Sequence, residues 1–479
     1  MKIIKYIPVV FCLLCAAACF EDESTMDTVR ISEITIDTLK IQKVYNVDQH
    51  EELSIPTKDI VSESEAQLPL RYEWDVNYNF YSDSSVFYYV GSELGSFPVR
   101  LKVSNDHGSS FYEFTENVNS PYETRIAILS ENGEGEPLLS IMRELSDKEI
   151  GEGVERTFKT NCLAINNPDI EFPKYPTDLV SHQNQLFISF KGIPSIYMLN
   201  SKVLNVESVI EENDENFIPT KILLPAKYTK GNVLTESGKV YSISTKEGVV
   251  LANSSFPSIY NERMALMNEG YQIGYMLWDR NNSAIIYELG GYYYYSTRDE
   301  EANVDLTGHT PIALYFRDNT FCTLLSQKDG VFMKTTISKN FYDTEYNDDW
   351  TEWWNVFNLV DDRTPINGSP ELTAETPSAN CKTYQSFYYA IGNKIYRWYY
   401  NTETSFPTQP WRTIELDGAE ITSLSVDPDD KQLYVGVYQP AQPELNGSFY
   451  ILNADTGKDA EGPWLNVAYK PLKIIYKKQ

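Results

Sequence analysis

Three tryptophans in one acidic stretch are the side chains of this sequence best suited to holding a ligand. Trp350, Trp353 and Trp354 lie within residues 340–367, which are rich in aromatic and acidic residues. Their spacing of i, i+3 and i+4, after a pair of aspartates, predicts a short helix. Indole faces stack on sugar rings and clasp peptide side chains. We interpret the three tryptophans as a ligand-binding platform; the alternative is a helix that packs its aromatic side chains on the rest of the domain.

The sequence shows no motif for catalysis or metal binding. The four histidines are scattered, which argues against a histidine-rich metal site. Residues 50–54 begin like the zinc motif H-E-x-x-H, but Ser54 replaces the second histidine. Residues 453–459 alternate oxygen ligands and are compatible with calcium, although a plain turn is the simpler interpretation. We therefore predict no catalytic residue, no metal and no cofactor.

The first 19 residues have the pattern of a secretory leader that ends at a cysteine. Lys2 and Lys5 precede an apolar run at 7–14, and small residues then lead directly to Cys19. Residues 14–19 resemble a bacterial lipobox. The resemblance implies that a signal peptide, 1–18, is removed and that Cys19 is acylated; more than one acyl chain gives stable anchoring. The alternative is a plain secretory leader with an incidental cysteine.

An acidic segment follows Cys19. Residues 20–24 resemble the surface-export signal of lipoproteins in the Bacteroidota, which implies display on the cell surface; the alternative is an ordinary solvated tether. We take 19–26 as an acidic lipidated tether. The remaining cysteines of the mature chain are odd in number and widely spaced, which predicts buried thiols rather than a disulfide framework: Cys162, Cys322 and Cys381. The net charge of −28 repels phosphate backbones and argues against nucleic acid as a partner.

Residues 27–118 read as one small β-domain. Trp74 stands in the middle of a predicted strand, and residues 95–108 alternate inward apolar positions before an Asn-x-x-Gly turn. This pattern resembles the PKD family of immunoglobulin-like sandwiches, although residues 77–79 depart from the Gly-Asp-Gly that often follows the tryptophan strand. In such a sandwich Trp74 fills the core. The resemblance implies a spacer or docking module.

Residues 121–479 read as repeated strand units. The clearest copy, 421–457, consists of short alternating runs separated by turn residues, and similar units recur at roughly 40-residue spacing. The units predicted are 125–143, 178–206, 222–251, 264–295, 311–337, 384–414 and 421–457. This pattern predicts a β-propeller of about seven blades, with 472–476 completing the first blade. The fold expected for the whole chain is all-β, a sandwich followed by a propeller.

The order of these parts resembles PKD-like surface lipoproteins of the Bacteroidota that accompany SusC/SusD-type, TonB-dependent importers. The resemblance implies an outer-membrane location at the cell surface and capture of an oligosaccharide or peptide, with the importer complex as partner. One alternative is a propeller-fold hydrolase of the same nutrients, because carboxylate pairs for glycoside hydrolysis meet only in space. Another is a purely structural docking subunit.

Overall fold

The computed structural model describes residues 31–64, 68–123, 125–252, 260–269, 273–279, 281, 283–289, 292–295, 306–317, 321–338, 342–346, 349–351, 353–357 and 362–477. The chain divides into two compact units, unit 1 (1–120) and unit 2 (121–479). The described residues form strands with only two helices of five residues each, so the predicted all-β class is confirmed. Neither helix is long and apolar enough to span a bilayer. Cys19, the leader and the tether lie outside the described residues.

Unit 1 is built from short strands in three sheets. Its strands are β1 (Ile34–Ile36), β2 (Val44–Asp48), β3 (Glu52–Pro56), β4 (Val61–Glu63), β5 (Arg71–Val76), β6 (Asn79–Ser82), β7 (Val86–Val90), β8 (Gly95–Asn105) and β9 (Gly108–Asn119). The largest sheet has the order β2-β9-β8-β5-β6, and two smaller sheets pair β3 with β7 and β1 with β4. The pairing of β2 with β9 is parallel.

Trp74 lies in the core of unit 1. Its side chain is fully buried, and its indole Nε1 donates a hydrogen bond of 2.9 Å to the carbonyl oxygen of Ser84. On the neighbouring strand β8, alternate residues are fully buried against it: Val99, Leu101 and Val103. The core position predicted for Trp74, and the inward alternation predicted along β8, are confirmed.

Unit 2 contains seven sheets of three or four strands within its described residues. The first joins β10 (Arg125–Glu131), β11 (Pro137–Arg143) and the last strand, β38 (Lys470–Lys477). The second holds β12 (Pro176–His182), β13 (Gln185–Phe190), β14 (Ser195–Asn200) and β15 (Val206–Ile210), and the third holds β16 (Pro219–Leu223), β17 (Lys230–Thr235), β18 (Val240–Ser244) and β19 (Val249–Ala252).

The remaining four sheets continue in chain order. The fourth holds β20 (Tyr260–Glu269), β21 (Ile273–Asp279), β22 (Ala284–Leu289) and β23 (Tyr292–Tyr295). The fifth holds β24 (Thr310–Phe316), β25 (Phe321–Lys328), β26 (Val331–Ser338) and β29 (Asp362–Ile366). The sixth holds β30 (Ser378–Cys381), β31 (Ser386–Ile391), β32 (Lys394–Tyr399) and β33 (Arg412–Thr413), and the seventh holds β34 (Glu420–Val426), β35 (Gln432–Tyr438), β36 (Gly447–Asn453) and β37 (Asp459–Ala468).

One strand from each of the seven sheets belongs to a closed circuit. Strand β38 contacts β12, β12 contacts β16, β16 contacts β20, and β20 contacts β24. On the other side, β38 contacts β34, and β34 contacts β30. Between β24 and β30, the side-chain amide of Asn380 donates a 2.6 Å hydrogen bond to the carbonyl oxygen of Phe316. Because β38 pairs with β10, the first sheet contains strands from both ends of unit 2. The pairing predicted for 472–476 is confirmed, and the circuit of antiparallel sheets is a propeller-like fold.

Apolar cores lie between successive sheets. One core cluster joins the first and second sheets, another the second and third, and others the fourth and fifth, the fifth and sixth, and the sixth and seventh. A further cluster packs Tyr434, Phe449 and Ile451 of the seventh sheet against Ile126 and Ile128 of the first. The described cysteines form no disulfide and are buried in such cores, as predicted.

The helix predicted for the three tryptophans is wrong. Instead, β27 (Tyr342–Tyr346) pairs with β28 (Trp353–Phe357) in an antiparallel hairpin inserted between β26 and β29. Trp350 lies in the connection with φ of 55°, a left-handed conformation that no helix interior accommodates. Tyrosine, tryptophan, valine and phenylalanine favour strands, and this preference outweighed the i, i+3, i+4 spacing.

The outer edge of the three-stranded first sheet is covered by an irregular segment, 144–175. It contains α1 (Asp147–Gly151) and α2 (Cys162–Asn166). Ile141 of β11 exchanges two backbone hydrogen bonds with Lys159, of 2.8 and 2.9 Å, and Cys162 and Leu163 join the core beneath. This segment takes the place that a fourth strand occupies in the other sheets.

Candidate functional site

The tryptophans predicted as a ligand platform lie on one hairpin. Trp350 is 75% exposed, although the indole is the largest apolar side chain. Trp353 and Trp354 are consecutive residues of β28 and pair with Tyr346 and Glu345 of β27. The three residues therefore belong to one hairpin and its connection, and not to a helix.

A polar cleft, called the seam cleft here, lies where the seventh sheet meets the first. Its volume is about 460 Å³. Three cationic and four anionic side chains line it together with Pro428, Gln432 and two tyrosines. The charged residues are Arg125, Arg156, Lys431, Glu144, Asp427, Asp429 and Glu461, and the tyrosines are Tyr434 and Tyr476.

Four of these side chains form a closed ring of ion pairs, called the Arg–Glu quartet here. Arg125 donates from Nη1 to Glu144 at 3.0 Å and from Nη2 to Glu461 at 2.7 Å. Arg156 donates from Nη2 to the same oxygen of Glu144 at 2.8 Å and from Nη1 to the same oxygen of Glu461 at 3.1 Å. Each carboxylate is thus held by two guanidinium groups in charge-assisted hydrogen bonds.

The quartet draws on three separate parts of unit 2. Arg125 is the first residue of β10, Glu461 lies on β37 of the seventh sheet, and Glu144 and Arg156 belong to the segment that covers β11. The backbone of Arg156 is fixed by Trp464, whose indole Nε1 donates a 2.6 Å hydrogen bond to its carbonyl oxygen. The side chain of Arg125 is only 6% exposed, so its positive charge is compensated by the two carboxylates and not by water.

The rim of the cleft is a tight turn between β34 and β35. The Oδ1 atom of Asp427 accepts hydrogen bonds of 2.6 Å from the backbone amides of both Lys431 and Gln432. This turn leaves the side chains of Asp429 and Lys431 73% and 71% exposed, 3.8 Å apart. They are the lining groups most accessible to a ligand.

Two phenol groups complete the lining. Burial is the main cause that raises the pKa of Tyr434 and of Tyr476 above the ordinary value for tyrosine. Both hydroxyls are therefore protonated at neutral pH, and each is able to donate and accept hydrogen bonds.

The quartet glutamates are poorly arranged for general acid catalysis. A glycosidase needs one carboxyl group that carries a proton to the leaving oxygen. Glu144 and Glu461 instead each use one carboxylate oxygen to accept hydrogen bonds from two guanidinium groups.

A serine–histidine contact in the fifth sheet is also unsuited to catalysis. Nδ1 of His309 lies 3.0 Å from Oγ of Ser326, and Nε2 lies 3.2 Å from Nη2 of Arg363. A guanidinium only donates, so Nε2 accepts and Nδ1 carries the ring proton. The imidazole consequently donates to Ser326 and cannot remove its proton.

The segment considered for calcium forms a turn. Oδ1 of Asn453 accepts hydrogen bonds from the backbone amides of Asp455 and Thr456 at 3.1 and 2.9 Å. Asp455 also pairs with Arg397, and Asp459 pairs with Arg412. Across the described ranges, no group of three or more metal-ligating side chains comes together.

No sequence motif indicates the seam cleft. Arg125 and Glu461 are 336 residues apart, and neither belongs to a recognisable motif. The only local feature is the Asp-Pro-Asp-Asp turn at 427–430, which the alternation of the flanking strands predicts as a turn without indicating what it faces.

No protein-family model matches this chain, and no curated protein matches it. Among solved structures it is similar to a quinoprotein alcohol dehydrogenase-like protein of Bacteroides thetaiotaomicron, with 14% identity, a TM-score of 0.47, and coverage of 93% of this chain and 99% of that one. It is also similar to Sqt1 of Saccharomyces cerevisiae, with 11% identity, a TM-score of 0.41, and coverage of 73% and 87%. These likenesses are distant, so the propeller-like fold of unit 2 is inferred from the strand pairing and packing described above.

Proposed function

We propose that this chain is a surface lipoprotein of the outer membrane that captures an oligosaccharide or peptide nutrient for a SusC/SusD-type importer. In this proposal an acylated Cys19 holds the protein to the membrane after residues 1–18 are removed, and 19–26 form an acidic tether. Unit 1 is a PKD-like sandwich that acts as a spacer. Unit 2 is a seven-bladed propeller that carries the ligand site.

The two architectural parts of the proposal have separate support. For unit 1, the support is the buried Trp74 on β5 and the long β8–β9 hairpin, whose turn is held by Asn105, the acceptor for the backbone amides of His107 and Gly108. For unit 2, the support is the circuit of seven strands, one from each sheet, and the core shared by the seventh and first sheets.

One observation carries the capture role: the 75% exposure of Trp350 on the inserted β27–β28 hairpin. Large aromatic side chains are mostly buried, because each removes a large apolar area from water. An exposed indole next to two further tryptophans in sequence suits stacking against a sugar ring or an apolar peptide side chain. Trp350, Trp353 and Trp354 are therefore the proposed ligand platform.

Calorimetric titration of the mature chain tests this role. The probes are maltohexaose, cellohexaose, xylohexaose and mannohexaose, and penta-alanine as the peptide. We expect at least one probe to bind and its affinity to fall about tenfold in Trp350→Ala, the loss of roughly one stacking contact. Tyr228→Ala, which removes another exposed aromatic ring of unit 2, is the matched control. Equal affinity in Trp350→Ala and wild type contradicts the platform.

A further inference from the structure

We propose that the seam cleft is a second ligand site and that it takes an uncharged, hydroxyl-rich ligand, a neutral glycan. The inference rests on the proposed capture role and adds to it a place and a ligand class. It uses groups that lie on the first and seventh sheets, whereas the tryptophan platform belongs to an insertion in the fifth.

The charges of the cleft select against a charged ligand. Arg125, Arg156 and Lys431 are interleaved with four carboxylates, so neither sign dominates the lining. A phosphate, a sulfate or a cationic group placed there meets at least one like charge. A sugar hydroxyl donates to a carboxylate and accepts from a guanidinium or ammonium group, so it satisfies both kinds of lining at once.

Part of the lining is fixed before a ligand arrives. The four ion pairs of the quartet hold Arg125 and Arg156 in place, and the Asp427 turn holds the rim. A preorganised polar surface loses little side-chain entropy on binding. A volume of about 460 Å³ lies within the size range of small-molecule sites.

The lining lacks two features that many peptide sites use. These are an apolar groove for side chains and an open strand edge for the backbone. The only aliphatic side chain of the cleft is that of Pro428. The rim strand β35 is already paired on both sides, with β34 and β36, and β10 lies between β11 and β38.

The test uses two accessible rim residues and matched controls. Asp429→Asn and Lys431→Met remove exposed charges from the cleft without touching the quartet. Asp37→Asn and Lys40→Met remove a solvent-accessible ion pair of unit 1, whose side chains are 40% and 58% exposed. The mature chain and each variant are titrated calorimetrically with the four neutral hexasaccharides and with penta-alanine, and thermal melting checks that each variant is folded. We expect a hexasaccharide to bind at two sites, and the Kd of one of them to rise about tenfold or more in Asp429→Asn and Lys431→Met. The Kd of the other site, and both Kd values in the two controls, should match wild type.

The other outcomes separate this inference from the capture role. If a hexasaccharide binds but the rim variants leave its Kd unchanged, the seam cleft is wrong and capture stands. If penta-alanine binds and the rim variants weaken it, the cleft is a ligand site but the glycan class is wrong. If no probe binds wild type, both the cleft and the capture role are overturned.

Discussion

Arg125 and Glu461, which are 336 residues apart in the sequence, are joined by a hydrogen bond of 2.7 Å between Nη2 and Oε2. The contact connects β10 of the first sheet to β37 of the seventh. It therefore stands where the circuit of unit 2 closes, beside the core that Tyr434 and Ile126 share. The same guanidinium helps to line the seam cleft, so one side chain contributes both to the contact between the seventh and first sheets and to the lining of the cleft.

We expect Arg125→Met to lower the free energy of unfolding of unit 2 by about 2–3 kcal/mol, because it removes the buried cation shared by two carboxylates. Lys431→Met, whose ion pair with Asp429 is exposed, should cost less than about 0.5 kcal/mol. Urea denaturation followed by fluorescence measures both. Equal losses in the two variants would mean that the quartet does not stabilise the closure.

A buried carboxyl group makes unit 1 sensitive to pH. Glu116 on β9 is fully buried, and within the described structure neither of its oxygens has a hydrogen-bond partner. Burial raises the pKa of Glu116 from 4.5 to about 7. The folded state therefore binds more protons than the unfolded state between these values, and the stability of unit 1 falls as the pH rises through that window, with no further loss above it.

Glu116→Gln should remove this pH dependence and stabilise unit 1 at about pH 8 by roughly 1–3 kcal/mol, since the amide has no charge to bury. Native-state hydrogen exchange of β8 and β9 in the full chain, corrected for intrinsic rates, measures the change. Glu113→Gln, an exposed residue of the same strand, is the matched control. A pH profile of Glu116→Gln that matches wild type would refute the assignment.

The hydrolase alternative makes its own prediction about the quartet. If Glu144 or Glu461 were catalytic, wild type would release reducing ends from a hexasaccharide, and Glu461→Gln would abolish the release. We expect no release by wild type or by the variant, because both carboxylates are held by two guanidinium groups. Turnover that is lost in Glu461→Gln would establish the enzyme.

The importer partnership is tested in membranes. We expect a tagged full-length chain, extracted from outer membranes in mild detergent, to copurify with a TonB-dependent importer and its lipoprotein partner. Cys19→Ala, which lacks the thiol that would be acylated, should lose this copurification if anchoring brings the partners together. Recovery of the wild-type chain without an importer would exclude it as a stable subunit.

Local patterns predicted much of the fold. The alternation of Val99, Leu101 and Val103 and the position of Trp74 indicated the core of unit 1, because strand period and burial are read over a few residues. The repeated hairpins of unit 2 were visible for the same reason. The inward register of β9 also places Glu116 between the buried Phe114 and Val118, a signal that sequence reasoning had available and did not use.

The side-chain contacts of the seam cleft were not predictable, although the pairing of 472–476 with the first sheet was. Nothing near Arg125 in the sequence indicates Glu461, since only the closed circuit brings the first and seventh sheets together. The helix predicted for Trp350, Trp353 and Trp354 is wrong for another reason. Their spacing matches a helix, but the neighbouring residues favour strands, and β27 and β28 form a hairpin.

Binding of a fluorescent ligand to intact cells tests the central claim most directly, because it requires both surface display and capture. Cells that make the full-length chain are incubated with the labelled hexasaccharide that binds best in calorimetry, or with labelled penta-alanine if only the peptide binds, and are measured by flow cytometry. We expect wild-type cells to bind it, cells with Cys19→Ala to lose most of the signal, and cells with Trp350→Ala to lose the part of the signal that the platform contributes. Equal signals from wild-type and Cys19→Ala cells, or no signal above cells that lack the protein, would contradict a lipid-anchored capture protein at the cell surface.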